Sequence, residues 1–598
     1  MSSMKNYFLW MVLAVFCLSG CDKNDEDGTI AVTGLSIAEN MTLQIGETKQ
    51  IEVTYLPNNA TLPVELSWSS SKEAVAGVAQ DGTVQALSAG ESTVTVCLKS
   101  NTSVRATCVV TVIEAGGTDP NEELSFEDNR FAALVLQFDK NNDGVLQRWE
   151  AELITEINVN GQEIKSLRGI EYFTNLEVLD CGINLLDSLD VSYNTKLKEL
   201  YCHSNRIAEL DVTMLPDLVH LNCRSNRLSA LDVTHNPKLI TMQCGMNGGR
   251  SYDDLGITQI DVTQNPELEE LDVYFLNLSA LDVTHNPKLR VLDMGYCCHT
   301  YWDLTPIEKI DLSQNPELEV LNCVSSNVEG YGLDALDVTH NPKLKQLTTY
   351  GNPKIKELDL SNNKELMLLN CGHNALSALD VTACTQLETL SCPYNTIAEL
   401  DLTRCVELVY LNCANNQIGM LDFSQTKLGY LEAQNNQIGE INMGDKTFDT
   451  PSAANSGYDH AGEPYLYMKL NNNRLTSIDL SRQTYLYWLE ICDNELTSLD
   501  VNDCKMLGGL LCSGNQLTEL SLAGLSRIWE LNCSDNQLSG VLDLAHLDLT
   551  RIAAQGNQLT TIRVPADFNP DATYFMGGVG TLPCYTKDAA TQYEFAAE

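Results

Sequence analysis

The chain has 598 residues, 43% of them apolar, and its formal net charge is -44 because 81 Asp and Glu residues outnumber 37 Lys and Arg residues. So much negative charge repels the phosphates of nucleic acids and of anionic lipid surfaces, which proteins bind mainly through Lys and Arg. The composition therefore argues against a nucleic-acid partner, and it supplies enough apolar residues for a large buried core.

The N-terminal sequence is typical of export. In residues 1–20 a Lys precedes an apolar run that is too short for a lasting membrane span, and small residues follow it, as in a signal peptide. Leu18 to Cys21, LSGC, resembles a bacterial lipobox, which implies that Cys21 is acylated and becomes the new N-terminus. An ordinary cleavage site with a chance cysteine is the alternative. The acidic tether at 21–28 resembles the surface-export signal of Bacteroidetes lipoproteins, which implies the cell surface of the outer membrane, with periplasmic retention as the alternative.

Residues 29–115 predict a β-sandwich, because short stretches of alternating polar and apolar residues are separated by Gly and Asn turns. The stretch LSWSSSKEAVAGVAQDGTVQALSAGESTVTV, with Trp68, Asp81-Gly82 and Gly90, resembles the bacterial immunoglobulin-like group 2 domain. The resemblance implies a spacer or adhesive module without catalytic residues.

Two cysteines lie in this segment, Cys97 and Cys108, and they flank a predicted hairpin. Export makes a cross-strand disulfide between them possible. Two independent core thiols are the alternative, and the sequence leaves both open.

Residues 116–156 combine an acidic linker with a predicted metal-binding loop. The apolar helical run FAALVLQF leads into DKNNDGVLQRWE, which matches the twelve-residue EF-hand calcium loop. This spacing brings several hard oxygen ligands to one point, as calcium requires. The predicted ligands are the side chains of Asp139, Asn141, Asp143 and Glu150, the carbonyl of Val145, and Gln147 through a water molecule. The alternative is a turn that caps a helix, because a second loop to form a paired hand is missing.

Residues 157–565 repeat one pattern. Segments such as LEVLDCGINLLDSLDVSYN and LVHLNCRSNRLSALDVTHN form about eighteen units at the period of leucine-rich repeats. A single unit cannot bury its Leu positions, so the units are expected to stack into one solenoid, followed by a C-terminal cap at 566–598. The pattern resembles Bacteroidetes surface leucine-rich-repeat lipoproteins. The predicted fold class is therefore mainly β, with an immunoglobulin-like β-sandwich, a short helical EF-hand-like cap and a leucine-rich-repeat solenoid.

A cysteine returns at one position of most units. In LxxLxC the Leu and Cys alternate with polar residues, so the Cys is expected to point inward from a strand. Other apolar residues hold this position elsewhere, which indicates that it requires size and burial rather than sulfur chemistry, and we expect the thiols to stay reduced. These cysteines, which we call the cysteine ladder, are Cys181, Cys202, Cys223, Cys244, Cys323, Cys371, Cys392, Cys413, Cys512 and Cys533.

Two polar residues recur beside the ladder. The Asn three residues after the Cys, as in Asn184 and Asn205, is predicted to satisfy backbone groups at the turn through its side-chain amide. The Asp of LDV, as in Asp190 and Asp211, lies between two inward apolar residues and is predicted to face solvent. Much of the negative charge would then form a regular outer stripe.

Three units are longer than the others at the same corner, after Cys244, Met294 and Cys323. Insertions at one corner emerge on one edge of a solenoid, and strands about 4.8 Å apart would keep these units within roughly 20 Å of one another. We therefore expect a partner-binding patch there, the loop patch, which consists of Tyr252, Tyr296, Tyr301, Trp302 and Tyr331.

Four consecutive units carry an aromatic residue at the outward position three residues before the ladder position. They are Tyr410, Tyr430, Tyr467 and Trp488, which we call the aromatic strip. Parallel strands would stack them about 4.8 Å apart. Flat amphipathic side chains give much contact area at low entropy cost, so the strip suits a peptide segment or sugar rings. The alternative is a structural row, in which the four aromatic side chains stabilise one another and bind no ligand.

The sequence offers little for catalysis. It contains no HExxH, GxSxG or phosphate-loop motif, and His235, His285 and His340 belong to the repeated THNPKL. We therefore expect a non-enzymatic, lipid-anchored surface protein whose solenoid binds another protein. The alternatives are a glycan-binding lipoprotein of a nutrient-uptake system and a structural envelope protein. Repeat scaffolds bind unrelated partners, so the pattern itself does not select among these.

Overall fold

The computed structural model describes residues 30–114, 119–251, 254–297, 307–328, 331–444, 465–576 and 580–596. The chain forms two compact units. The first contains the residues up to Glu123 together with Gln147–Trp149, and the second contains Leu124–Leu146 and the residues from Glu150 onward.

The first unit is built from short strands around one buried core. The strands are β1 Gly34–Ser36, β2 Asn40–Gln44, β3 Thr48–Gln50, β4 Thr54–Leu56, β5 Leu66–Ser70, β6 Ala76–Val78, β7 Thr83–Ala86, β8 Gly90–Leu98 and β9 Asn101–Ile113. They form sheets of order β2-β9-β8-β5 and β3-β7-β6 and the pair β1-β4. Gly82 has a φ of +88°, and a Cβ atom there would lie 2.8 Å from the indole of the buried Trp68. The Asp81-Gly82 turn therefore needs glycine both for its conformation and for the space that Trp68 takes.

The hairpin predicted around Cys97 and Cys108 is present, but its register separates the two cysteines. Cys97 lies opposite Arg105 on the neighbouring strand, and Cys108 lies opposite Val94. Both are free thiols. Burial raises the pKa of the Cys108 thiol. Of the two arrangements that the sequence left open, the register selects the two independent thiols.

The second unit is organised by a parallel sheet of nineteen strands. Most strands have three residues and pair in register with the next, so that Leu200 lies opposite Leu221. The sheet continues beyond residue 565, because Tyr585–Thr586 adds its last strand. In sheet order the strands are β10 Glu156–Asn158, β11 Val178–Asp180, β12 Glu199–Tyr201, β13 His220–Asn222, β14 Thr241–Gln243, β17 Glu270–Asp272, β18 Val291–Asp293, β19 Val320–Asn322, β20 Gln346–Thr348, β21 Leu368–Asn370, β22 Thr389–Ser391, β23 Tyr410–Asn412, β25 Tyr430–Glu432, β27 Leu466–Lys469, β28 Leu486–Glu490, β29 Gly509–Leu511, β30 Glu530–Asn532, β32 Arg551–Ala553 and β36 Tyr585–Thr586.

Smaller sheets occur between these strands and at the C-terminal end. They consist of β15 Gly248–Ser251 with β16 Asp254–Gly256, β24 Met420–Asp422 with β26 Glu440–Asn442, β31 Ser539–Asp543 with β33 Gln558–Val564 and β37 Gln592–Phe595, and β34 Thr573–Met576 with β35 Gly580–Pro583.

The core of the second unit follows the predicted alternation. The middle residue of each short strand and the residue after the strand point inward, as Leu200 and Cys202 do, and both are fully buried. All ten cysteines of the ladder are buried free thiols, so their inward orientation is confirmed. Burial raises the pKa of ladder thiols such as Cys202 and Cys223, to about 12 for Cys223.

Two columns of buried Asn side chains join successive units. In the first column, Asn205 donates from Nδ2 to the carbonyl oxygens of Cys181 and Cys202, each at 3.0 Å, and its Oδ1 accepts from the backbone N–H of Leu186 at 3.0 Å. This confirms the predicted role of the Asn. In the second column, which the sequence analysis did not identify, Asn286 donates to the carbonyls of Val262 and Asn265.

The outer surface carries the predicted acidic stripe. Asp211 is exposed, and its Oδ1 accepts hydrogen bonds from the backbone N–H of Thr213 at 2.9 Å and from its hydroxyl at 2.7 Å. These two hydrogen bonds lower the pKa of Asp211. The carboxylate therefore holds its own turn in shape while it faces solvent.

A second outer position alternates in charge from unit to unit. Its residues are Lys196, Asp217, Lys238, Glu267, Lys288, Glu317, Lys343 and Glu365. Lys238 pairs with Asp217 at 2.5 Å, and Lys288 pairs with Glu267 at 2.5 Å. Lys343 and Glu317 form the same pair. Because both members of each pair are exposed to solvent, each pair contributes little to stability.

Short helices close the N-terminal end of the second unit. Helix α1 spans Asn129–Val135 and is extended by a 3₁₀ turn at Leu136–Phe138, helix α2 spans Arg148–Ala151, and another 3₁₀ turn spans Ile170–Tyr172. Asp128 caps α1 by accepting from the backbone N–H of Arg130 at 2.8 Å. Phe131 and Val135 are fully buried in the same core as the first repeats, so α1 covers the end of the Leu and Cys column.

Candidate functional site

One face of the long sheet, opposite the core, carries side chains that vary between units. We call it the open face. The first and third residues of each three-residue strand point to it, as His220 and Asn222 do, and most of them are half-buried because neighbouring strands flank them. Side chains held in this way have few rotamers available, which favours a pre-organised binding surface.

The four residues of the aromatic strip lie in one register column on the open face. Tyr410 is opposite Tyr430, Tyr430 is opposite Tyr467, and Tyr467 is opposite Trp488. The rings of Tyr410 and Tyr430 are stacked with centroids 5.0 Å apart and planes 8° apart, and those of Tyr430 and Tyr467 are 5.9 Å and 28° apart. The predicted row is therefore confirmed, and its three tyrosines form a stack.

Tyr430 is also fixed at its polar end. Its hydroxyl donates to Oε1 of Glu432 at 2.9 Å, and the ammonium group of Lys469 contacts the same oxygen at 2.8 Å. The ammonium group lies 5.8 Å from the centre of the Tyr430 ring. Burial and the hydrogen bond to Glu432 raise the pKa of Tyr430 to about 12. Contacts within the protein therefore hold part of the aromatic strip in place, as the alternative interpretation of the sequence proposed.

Trp488 departs from the predicted stack. Its ring contacts Trp529, with centroids 5.6 Å apart and planes 43° apart, while Tyr467 contacts Tyr487 at 5.6 Å. The indole lies over Gly509, where a Cβ atom would be only 2.2 Å from it. Glycine is required there to let the ring approach the backbone.

Tyr487 and Trp529 also belong to this surface, although the repeat pattern of the sequence does not reveal them. Both precede the regular outward positions of their units, so the repeat alignment does not place them beside Trp488. The available signal was the Gly508-Gly509 pair inside a strand pattern, which marks a close approach of another group. A Cβ atom at Gly508 would lie 2.8 Å from Nε1 of Trp529, so both indoles rest on this pair.

The open face is strongly acidic. Among the strand residues of the nineteen-stranded sheet, two cations, Lys469 and Arg551, accompany nine carboxylates. The carboxylates are Glu156, Asp180, Glu199, Glu270, Asp272, Asp293, Glu432, Glu490 and Glu530. A surface with this excess of one sign attracts a partner of the opposite sign and steers its approach.

The loop patch falls largely outside the described residues, since Tyr252, Tyr301 and Trp302 are not described. Tyr296 and Tyr331 are described and half-buried. The ring of Tyr296 packs edge-on against Tyr274, with centroids 5.8 Å apart. The predicted gathering of all five residues stays a prediction.

The structure adds a second aromatic series at the turns that follow the strands. The rings of His373 and Tyr394 are stacked at 4.1 Å, and Tyr350 packs edge-on against His373 at 4.9 Å. Burial lowers the pKa of His373, whose Nδ1 lies 2.8 Å from the side-chain amide of Asn327. His373 and Tyr394 have positive φ angles of 52° and 56°. The sequence signal for His373 and Tyr394 is an aromatic residue two positions after the ladder Cys, whereas Tyr350 follows Thr349 directly.

In the predicted calcium loop, backbone N–H groups donate hydrogen bonds to the carboxylates of the same loop. Asp139 accepts from the backbone N–H of Asn142 at 2.7 Å and of Gly144 at 2.8 Å. The buried Glu150 accepts from the N–H of Lys140 at 2.7 Å. Gly144 has a φ of +89°, which matches the sharp turn that the EF-hand pattern assigns to glycine.

The remaining predicted ligands follow the same pattern. Asp143 accepts from the backbone N–H of Val145 at 3.0 Å and from the side-chain amide of Asn141 at 2.9 Å. The backbone of Gln147 forms an isolated antiparallel β-bridge with that of Glu123. Within the described residues, no group of three or more His, Cys, Asp or Glu side chains is arranged to hold a metal ion. The oxygen donors of Asp139, Asp143 and Glu150 are of the kind calcium prefers, so calcium binding stays a prediction that fits the residues present.

Comparison with known proteins identifies the first unit. Residues 31–110 match the family model of the bacterial Ig-like domain (group 2). An uncharacterised protein of Clostridium acetobutylicum is 34% identical over 83 residues, which are 14% of this chain and 21% of that protein. The chain therefore spans about a fifth of the length of the curated relative it matches.

Solved structures resemble the second unit. The functional domain of InlJ from Listeria monocytogenes, described as including a cysteine ladder, is 25% identical with a TM-score of 0.52 and covers 77% of this chain and 86% of its own. The plant peptide hormone receptor RGFR1 in complex with RGF2 is 18% identical with a TM-score of 0.55. The match covers 75% of this chain and 72% of the receptor chain. A leucine-rich-repeat protein of Leptospira interrogans is 20% identical with a TM-score of 0.48. The match covers 62% of this chain and 92% of the Leptospira chain.

These findings define the fold class. The chain is a mainly β protein in which an immunoglobulin-like domain precedes a leucine-rich-repeat solenoid, as the sequence predicted. Within the described residues, the helices are too short or too polar to cross a membrane.

Proposed function

We propose that this protein is a non-enzymatic, lipid-anchored cell-surface protein that binds a protein partner on the open face of its solenoid, at the aromatic strip. The observation that carries the proposal is the strip itself, because four large aromatic side chains share one column of half-buried positions. Aromatic residues of this kind dominate the energetics of protein interfaces. The similarity to the functional domain of InlJ supports a solenoid of this class.

The ring geometry favours a protein partner over the alternative, a glycan of a nutrient-uptake system. A sugar ring packs its C–H groups onto the face of an aromatic ring. In the strip, Tyr410 and Tyr430 are stacked with planes 8° apart, so each covers one face of the other. Stacked rings present their edges and hydroxyl groups to a ligand, which suits the mixed polar and apolar surface of a peptide segment.

The rest of the chain is proposed to present this surface. Cys21, which lies outside the described residues, would anchor the protein to the outer membrane through lipid, and the Ig-like domain would act as a spacer. One calcium ion at Asp139, Asn141, Asp143, Val145, Gln147 and Glu150 would hold the loop after α1, next to the end of the solenoid core.

The binding proposal is tested by crosslinking. A photo-reactive phenylalanine replaces Tyr467, or replaces Tyr201 as the matched control, since Tyr201 is an outward tyrosine on the same sheet. The full-length variants are irradiated with extracts and culture fluid from the natural surroundings of the organism, and crosslinked species are mapped by mass spectrometry. We expect a protein that crosslinks at 467 and not at 201. Equal crosslinking at both positions would contradict the proposal, and glycan adducts at 467 would favour the alternative.

A further inference from the structure

In its C-terminal half, from Tyr430 onward, the open face repeats one small arrangement, an aromatic ring beside a carboxylate. Tyr430 and Glu432 form the first pair, joined by a hydrogen bond of 2.9 Å. Trp488 and Glu490 form the second, because the indole Nε1–H donates to Oε1 of Glu490 at 2.8 Å. Trp529 and Glu530 form the third, as neighbours in sequence. Such a pair attracts a cation through both the negative ring face and the carboxylate.

In the first and third pairs the chain supplies the cation itself. Lys469 lies 5.8 Å from the centre of the Tyr430 ring and 2.8 Å from Oε1 of Glu432. The guanidinium of Arg551 lies 5.7 Å from the centre of the Trp529 ring, and its Nη2 is 2.9 Å from Oε2 of Glu530. That last contact is an ion pair without hydrogen-bond geometry, since Oε2 of Glu530 has no hydrogen-bond donor in the described structure.

The middle pair differs. Within the described residues, no Lys, Arg or His lies within ion-pair distance of Glu490, although two neutral donors, the indole of Trp488 and the side-chain amide of Asn471 at 3.0 Å, contact it. Lys469 is opposite Glu490 in the register, but its ammonium group turns to Glu432 on the other side. Glu490 is therefore a half-buried carboxylate with no cation beside it among the described residues.

We infer that the partner supplies the missing cation: a Lys or Arg side chain of a basic segment lies against Trp488 and pairs with Glu490. This inference rests on the proposed function, since it places the anchor of the partner at the C-terminal end of the aromatic strip. The excess of nine carboxylates over two cations on the open face attracts the same kind of segment. The partner is thus a basic protein or a protein with a basic, extended stretch.

The test uses synthetic probes and the full-length protein labelled with 5-fluorotryptophan. The probes are acetyl-(Gly-Arg)4-amide and its citrulline analogue, which has the same shape without charge. The chain has six tryptophans, and Trp488→Phe assigns the resonance of Trp488. We expect the arginine peptide to shift this resonance in a saturable way that weakens with salt, and the citrulline peptide not to shift it.

Two variants locate the effect. Glu490→Gln keeps an acceptor for the indole N–H and should weaken binding of the arginine peptide about tenfold. Glu270→Gln removes the same charge elsewhere on the open face, between Thr241 and Val291 in the register, and should leave the affinity within about twofold. A melting curve of each variant shows that it is folded.

The other outcomes separate the inference from the proposed function. If both peptides shift Trp488 equally, the strip binds peptides without selecting a cation, which overturns the inference and leaves the proposed function standing. If neither peptide shifts Trp488 at millimolar concentration, or if Glu490→Gln and Glu270→Gln weaken binding equally, the anchor at Glu490 is wrong. The crosslinks at position 467 then decide the proposed function independently.

Discussion

The side-chain amide of Asn205 donates a 3.0 Å hydrogen bond to the carbonyl oxygen of Cys181 in the preceding unit. Its Oδ1 accepts from the backbone N–H of Leu186, so every polar atom of this buried amide is used. Asn286, in the second column, uses only its Nδ2 group, because its Oδ1 has no hydrogen-bond partner among the described atoms. Thr426 and Cys384 replace Asn in that second column.

This difference predicts unequal costs for one substitution at two sites. Asn205→Thr should lower the free energy of unfolding by about 2–3 kcal/mol, because it leaves backbone groups of two units unsatisfied in the core. Asn286→Thr should cost about 1 kcal/mol or less, since Thr426 shows that the column accepts threonine. Urea denaturation followed by circular dichroism measures both. Equal losses would show that the two columns contribute alike.

The cysteine ladder predicts a loss of stability at alkaline pH. Burial raises the pKa of Cys223 to about 12, above its ordinary value near 9, so the folded state holds a proton that the unfolded state releases. The stabilisation from this thiol is fully present below pH 9 and is lost as the pH rises towards 12. Melting temperatures between pH 8 and 11 should fall less steeply for Cys223→Val, since Val273 holds the same position in another unit.

The same thiols should stay reduced. Thiol titration of the unfolded protein should find the ladder cysteines free, because inward side chains on neighbouring strands are poorly oriented for the torsion of a disulfide. Bridges between Cys181 and Cys202, or between Cys392 and Cys413, mapped by mass spectrometry, would contradict the packing described here.

The aromatic strip predicts a separation of binding from stability. Tyr430→Ala with Tyr467→Ala should weaken binding of the crosslinked partner roughly a thousandfold, at about 2 kcal/mol for each anchor side chain. Tyr201→Ala is the control, because the Tyr201 hydroxyl donates to Glu199 as that of Tyr430 donates to Glu432. Both variants should melt a few degrees lower. If binding falls only in proportion to the folded fraction, the strip is a structural ladder.

The calcium loop predicts one site in the full-length protein. Isothermal titration calorimetry should show a single calcium ion bound, and saturating calcium should raise the melting temperature, since a ligand of the folded state stabilises it by about 2.7 kcal/mol at a hundred times its Kd. Asp139→Ala with Glu150→Gln should abolish the heat signal, whereas Asp119→Asn, outside the loop, should not. If no calcium binds at millimolar concentration, the loop serves only as a helix cap.

The lipid anchor predicts where the protein is found. Cys21→Ala should release the protein from the membrane or misplace it, because acylation requires the thiol. Protease added to intact cells should remove the solenoid of the unaltered protein, and a periplasmic marker should stay protected. If the solenoid is protected as well, the protein is not displayed on the surface, whether or not it is lipidated.

The sequence predicts those features that repeat. The inward Cys, the amide of Asn205, the solvent-facing Asp211 and the register of the strip follow from one alternation copied along the chain, so a single correct assignment fixes all of them. The offset between Cys97 and Cys108 could not be predicted in this way, because hairpin register depends on one irregular turn.

The surroundings of Trp488 escaped prediction for a different reason. Its ring contacts Trp529 because Gly508 and Gly509, which lie between them in the sheet, have no side chains. A contact that depends on the absence of side chains at two glycines leaves no periodic pattern in the sequence. The aromatic series at His373 and Tyr394 was missed because the repeat alignment treats these turn positions as variable.

The alternating charges at Lys238, Glu267, Lys288 and Glu317 restrict how the number of repeat units can change. Each lysine pairs with a carboxylate of the unit before it, so a copy of one unit would set two lysines or two carboxylates side by side. A copy of two units preserves the alternation. The matching segments DVTHNPKL at 232 and 282, each followed by a unit with NPEL, have the form that duplication of such a two-unit cassette leaves behind. Length variants that arise by recombination should accordingly differ by even numbers of units in this region.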